Sequence, residues 1–219
     1  MKIVSQSYEI LSDISEGGLK ELELIEKAAR TCYKSEEKAS EDGESAKRMI
    51  KSLIAHVHEA MLEHSSLTVK FITNRAIANE FVRHRLCSFA QESTRYCNYS
   101  LEEKFGSEIT VVVPDNIDEH YKRCMMSTWK DAEFTYIWLI EHGAKPEIAR
   151  DVLPLATKTE LVVTANYREW RHILKLRALN ETGPAHPMIH DLCTRLLLGL
   201  KERIPIIFDD LEVDNDIRA

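Results

Sequence analysis

Glycine is scarce, with seven in 219 residues, and the seven are scattered. No Pro/Gly-rich linker, low-complexity tract or internal repeat divides the chain, so repeat arrays and tethered modules are excluded and one domain over residues 1–219 is expected. No apolar run approaches the roughly 18 residues of a membrane span, and the opening stretch Met1-Lys2-Ile3-Val4-Ser5-Gln6 lacks the apolar core of a signal peptide. The five cysteines (Cys32, Cys87, Cys97, Cys124, Cys193) are odd in number and contain no Cys-x2-Cys pair, which argues against a disulfide framework. A soluble protein of the reducing cytoplasm, with no membrane partner, is the expectation. Basic charge is also short: 29 Lys and Arg against 36 Asp and Glu leave a formal charge of −7, unlike a general nucleic-acid binder. With no Gly-x-Gly-x2-Gly, a dinucleotide cannot be held by a Rossmann turn.

The hydrophobic content, 44%, is enough to bury a core at this length. Loose alternation from Ile3 to Leu11 reads as an edge strand, Leu67 to Thr73 and Glu160 to Ala165 as further strands, and Glu108 to Val113 as a strand ended by Pro114. Helical spacing covers Gly18 to Tyr33, Ser45 to Met61, Arg75 to Arg83, Ile117 to His142 with Gly143 closing it, Pro146 to Leu153, Arg168 to Arg177 and Met188 to Arg203. Strands and helices do not alternate regularly. The fold class expected is therefore α+β, a helix-rich domain with a small, mostly antiparallel sheet, rather than a doubly wound one.

One segment concentrates cations and hydroxyls: Arg83-His84-Arg85-Leu86-Cys87-Ser88-Phe89-Ala90-Gln91-Glu92-Ser93-Thr94-Arg95. Arginine stays charged and offers five donors in a planar fork, so such a cluster suits phosphate or a polarised carbonyl. The bland alternative is a solvated charged surface. Leu86, Phe89, Tyr96 and Tyr99 interleave with the cations, so part of the segment should pack while its charges converge on an anion, for which a dinucleotide and a nucleotide monophosphate both qualify. Farther on, Arg168, His172 and Arg177 follow one another at intervals of four and five, which reads as one broad polar helix face. The stretch His56-Val57-His58-Glu59-Ala60-Met61-Leu62-Glu63-His64 lacks the i, i+4 histidine pair of a zinc helix, so no metal site is expected.

The spacing Arg-His-Arg-x2-Ser-x4-Ser-x-Arg fixes six positions, and at about 5% average usage a chance match in a chain of this length is on the order of a few in a million. It resembles the signature of the flavin-dependent thymidylate synthases. Two later elements, Ala149-Arg150-x2-Leu153-Pro154 and Thr164-x-Asn166-x-Arg168-x3-His172-x4-Arg177, and the earlier His58-Glu59-x3-Glu63-His64, are similar to that family's in order and spacing. The resemblance runs from about His58 to Arg177. It implies that His58, Arg83, His84, Arg85, Gln91, Asn166, Arg168 and His172 contact FAD, and that Glu80, Arg83, Gln91, Ser93, Arg95, Arg150 and Arg177 hold dUMP. Arg177 would be the catalytic residue, stabilising negative charge across the uracil carbonyls and N3. It also implies NADPH and methylenetetrahydrofolate as co-substrates, no enzymatic nucleophile, and a homotetramer that shares active sites between subunits. Glu80 stands where some relatives have glutamine, and Gln91 where some have glutamate. Two rival readings are a single-strand binder using Tyr96 and Tyr99 as stacking platforms, which the acidic total disfavours, and a zinc hydrolase built on His56, His58 and His64.

Overall fold

The computed structural model describes residues 1–213, and their elements run in the order β1 (Lys2–Val4), β2 (Ser7–Ile10), α1 (Leu19–Thr31), α2 (Glu44–Ala55), β3 (Ser66–Asn74), α3 (Arg75–Phe81), β4 (Ser88–Gln91), α4 (Glu102–Phe105), β5 (Thr110–Val112), α5 (Glu119–Glu141), α6 (Pro146–Ala149), β6 (Lys158–Asn166), α7 (Tyr167–Arg177), α8 (Pro187–Arg203) and α9 (Pro205–Phe208). This is the helix-rich α+β arrangement that the patterning implies. Four strands form a sheet in the order β2-β3-β6-β4. β3 and β6 are antiparallel: the Tyr167 N–H donates to the Ser65 carbonyl (3.1 Å) and the Arg75 N–H to the Thr157 carbonyl (3.1 Å), so the partners run in opposite directions. Both long strands alternate buried and half-buried positions, as a sheet with one covered face demands. Each ends on an asparagine that starts the next helix. Asn74 Oδ1 accepts from the Ile77 N–H (2.9 Å), and Asn166 Oδ1 from the Glu169 N–H (2.9 Å), satisfying N–H groups that a helix leaves orphaned.

The single N-terminal strand expected over residues 3–11 is two strands. β1 pairs in parallel with β5, Ile3 opposite Val111, while β2 joins the four-stranded sheet. Alternation along a chain cannot report a change of partner between Val4 and Ser7. The helix expected to reach Met61 stops at Ala55, where Val57 takes φ +58 and residues Glu59–His64 continue as a 3₁₀ segment. His58 and His64 therefore share no α-helix. β4, α4 and α9 were too short to show a period. The close of α5 is as expected: Gly143 at φ +89 donates to the Ile140 carbonyl (3.0 Å) and Ala144 to the Leu139 carbonyl (2.9 Å), a Schellman pair. Among the described residues no helix is long and apolar enough to cross a membrane.

The chain divides into two compact units. The first comprises Met1–Tyr8, Lys70–Arg83 and Phe89–Val162. Its core sets Trp129 and Tyr136 of α5 against Ile109, Val111, Val113, Tyr99 and Ala149, and the Tyr99 N–H donates to Tyr136 Oη (3.2 Å). The second comprises Glu9–Val69, His84–Ser88 and the chain from Val163 onward. Here α1, α2, α7, α8 and α9 enclose Leu22, Ile25, Ile50, Ile173, Leu192, Leu196 and Phe208, all with no exposure, each contributing about 1.5–3 kcal/mol by burial. Arg171 of α7 is buried among them. Its guanidinium reaches Glu59 Oε1 (3.0 and 3.1 Å), both oxygens of Asp210 (2.6 Å each) and the Ile207 carbonyl, so the α7 helix is tied to the 3₁₀ segment and to the turn after α9. Burial opposes its charge, and the Asp210 and Glu59 partners outweigh that penalty.

Candidate active site

The Asn166 cap fixes where α7 begins and hence which of its side chains face outward. Position 168 and position 172 lie one turn apart, and both are exposed. In the second unit Asn166, Arg168 and His172 line a cleft of about 600 Å³ with Glu59, Glu63, Leu86, Glu169, Lys175 and Glu181. Because capping uses the Asn166 carbonyl oxygen, its amide nitrogen is left to donate elsewhere. Arg168 pairs with Glu63 (2.5 Å), both half-exposed, and Lys175 with Glu59 (3.8 Å). The exposed Arg168–Glu63 pair is worth about 0–1 kcal/mol in water, so an incoming anion can displace Glu63, whereas Glu59 is held by Arg171.

Arg177 departs from the shared polar face that its spacing suggested. Nine residues on from Arg168 amount to about two and a half turns of helix, which turns Arg177 to the opposite side; it is absent from the cleft lining, and its Nε donates to His84 Nε2 (3.3 Å). His84 is buried, whereas its neighbours Arg83 and Arg85 are exposed and form no ion pair with any described residue. The imidazole stands 6.2 Å from that of His172, edge to face. Burial, then the Arg177 and His172 charges, lower the His84 pKa to about 4. Its ring is neutral at neutral pH, so the 3.9 Å approach of His84 Nδ1 to Glu169 Oε1 is not an ion pair. Burial also raises the Glu169 pKa, and pushes the Cys87 thiol up to about 12 with the Glu169 charge as a second cause. His58 is exposed beside the 3₁₀ segment and does not line the cleft.

The other candidates fall in the first unit. Ser93 opens a turn in which its Oγ accepts from the Arg95 N–H (3.3 Å) and its carbonyl from Tyr96 and Cys97. Arg95 Nε pairs with Glu147 (3.1 Å), and its guanidinium lies 5.3 Å from the centre of the Tyr96 ring. Glu147 sits on α6, three residues before the exposed Arg150, another of the predicted anion-binding cations. Gln91 donates to Thr159 Oγ1 (3.3 Å), and Glu80 is half-buried on α3. Glu59, Glu63, Glu169 and Lys175 were not picked out as site residues from the sequence. Their one available signal was position: two lie inside the His-Glu-x3-Glu-His stretch and two flank the α7 candidates. His186 caps α8 through Nδ1, which accepts from the Met188 N–H (3.2 Å).

Comparison with known proteins matches residues 19–206 to the family described as thymidylate synthase complementing protein. The flavin-dependent thymidylate synthase of Corynebacterium aurimucosum is 30% identical over 92% of this chain and 84% of its own, and that of Corynebacterium diphtheriae 32% over 86% and 78%. Among solved structures, the UMP/dUMP methylase PolB of Streptomyces cacaoi, bound with 5-Br dUMP, superposes with a TM-score of 0.73 at 24% identity over 95% of this chain and 96% of that one, a likeness of fold. The signature that carries Arg83 to Arg95, the second element that carries Asn166 to Arg177, and a family match over most of the chain agree: this chain belongs to the family of flavin-dependent thymidylate synthases.

Proposed function

We propose that the protein, with residues 1–219 as one functional domain acting in the cytoplasm, converts dUMP, methylenetetrahydrofolate and NADPH to dTMP, tetrahydrofolate and NADP, with FAD as its resident cofactor. The observation that carries this reading is the Arg177–His84 contact: a permanent cation held by a neutral, buried acceptor beside the cleft residue His172. The donor set fits FAD. Arg85 has no ion pair among the described residues, Arg168 has a displaceable one, Asn166 has an amide nitrogen to offer, and Leu86 is 74% exposed, an apolar surface for a ring. Those residues, with His58, Arg83, His84, Gln91 and His172, would hold it; when bound, the flavin supplies two-electron redox chemistry.

Ser93, Arg95 and Arg150 would take the dUMP phosphate, which exchanges for Glu147 because a dianion in a guanidinium fork outweighs a half-exposed carboxylate. Glu80, Arg83 and Gln91 would complete the nucleotide site. Arg177 would stabilise charge on the uracil carbonyls and N3 without giving up a proton, since a guanidinium does not deprotonate in proteins. A thiol pushed up to about 12 at Cys87 supports a route without a cysteine nucleophile. Exposed Leu86 (74%) within the signature and Tyr96 (77%) directly after it support a homotetramer with shared active sites.

An absorbance spectrum tests the reading directly. The purified protein is expected to show flavin bands that NADPH bleaches, with dTMP formed once methylenetetrahydrofolate and dUMP are present; a colourless protein that forms no dTMP after FAD is added overturns it. Mixed tetramers of Arg95→Ala and Arg177→Ala subunits should regain activity if sites are shared, and no recovery would show that each subunit builds its own.

A further inference from the structure

We propose that Glu169 is a positioning residue for Arg177, acting through His84: its carboxylate holds the imidazole proton on Nδ1, so that Nε2 presents a lone pair to the guanidinium. The inference rests on the reading that Arg177 serves the uracil ring, and it begins from the direction of one hydrogen bond. Arg177 Nε can only donate, so His84 Nε2, 3.3 Å away, must be unprotonated. A neutral imidazole then carries its single proton on Nδ1. Glu169 Oε1 lies 3.9 Å from that nitrogen, too far for a hydrogen bond in this conformation but on the side where an N–H is attracted and a bare nitrogen repelled.

Glu169 and Arg177 cannot meet directly. Eight residues apart on one helix, they are separated by about 12 Å along its axis, and the ring of His84 spans between their side chains. Arg177 and His172 on α7 oppose a charged imidazole, so the ring stays neutral, and Glu169, 7% exposed, is the carboxylate that approaches its Nδ1. The opposite tautomer would set an Nε2–H against the Arg177 Nε–H, donor to donor. Glu169 occupies the third position of α7, where a glutamate can turn back onto the N-cap; here it faces the histidine instead.

The test is the tautomer of His84, read from ¹⁵N-imidazole shifts of the flavin-loaded protein at pH 7 and assigned with His84→Asn. Wild type should show the proton on Nδ1. Glu169→Gln, which keeps an acceptor oxygen, should retain that tautomer and bind dUMP within threefold of wild type. Glu169→Leu should lose it and weaken dUMP binding about tenfold with flavin content unchanged. A proton on Nε2 in wild type, or an unaltered tautomer in a folded Glu169→Leu, overturns the proposal; so does equal weakening in both variants with the tautomer intact, which would mark a structural role. Should Glu169→Leu fail to fold, the wild-type tautomer still decides. Failure of the function reading is distinguishable, since wild type would then form no dTMP while the ¹⁵N measurement, which needs no turnover, stands.

Discussion

The cleft of the first unit and that of the second are of similar size, about 610 and 600 Å³, but they manage charge in opposite ways. In the first, Lys158 pairs with Glu92 (2.9 Å) and Glu160 (2.7 Å), Lys70 pairs with Glu160 (2.6 Å), and the Tyr99 hydroxyl donates to Glu92 (2.8 Å). Burial works against the Lys158 charge, yet Glu160 and Glu92 outweigh it and raise its pKa, while Lys158 and Lys70 lower that of Glu160. The charges are compensated in place. In the second unit burial suppresses charge instead: His84 is held neutral, Cys87 is held as a thiol, and Glu169 is shifted upward. Arg177 keeps its charge beside that neutral imidazole. Cleft volume does not separate the two; whether charge is compensated in place or suppressed by burial does.

The largest expected effect that sharpens this contrast comes from acid. In the unfolded chain His84 takes a proton near its ordinary 6.5, and in the fold only near about 4. Between those values the unfolded state binds the extra proton, so stability falls as pH falls through the window, by on the order of 3 kcal/mol in all. Urea unfolding of wild type minus His84→Asn, measured from pH 7 to 4, isolates that loss; a flat difference would mean His84 is not held neutral. Next comes Arg177→Lys, expected to lower dTMP formation at least tenfold and on the order of a hundredfold, about 2.7 kcal/mol, with folding and flavin content nearly intact, because an ammonium cannot replace the planar fork. Unchanged turnover would remove Arg177 from the chemistry.

Lys158→Met breaks the other side of the comparison. It leaves Glu92, 12% exposed, without its lysine, and should cost about 2 kcal/mol of stability, below the range for a fully buried pair because Lys158 is 22% exposed and Tyr99 still donates to Glu92. A denaturant midpoint equal to that of wild type would show that the compensated network contributes nothing. The smallest effect is expected at Cys87→Ala, with turnover within about twofold, since a thiol pushed up to about 12 supplies no thiolate. An inactive, folded, flavin-loaded Cys87→Ala protein would reverse that conclusion.

Local chemistry made much of this legible before any coordinates. Asn74 and Asn166 stand where a strand pattern gives way to a helical one, Gly143 follows the period of α5, and the cations from Arg83 to Arg95 are crowded by chain order alone. Such features act over a few residues, so the sequence by itself determined them. Tertiary structure decided what depends on distant partners. The alternation near the N-terminus was real, but only pairing with β5 and with β3 divides it between two sheets. Arg168, His172 and Arg177 looked alike as helix charges; a cleft took the first two and a histidine 93 residues away took the third. The same applies to Arg171, an ordinary helix cation by sequence, which is buried because Glu59 and Asp210 converge on it from both sides of the chain. Burial and pairing belong to neighbours in space, and those neighbours are chosen only when the whole chain packs.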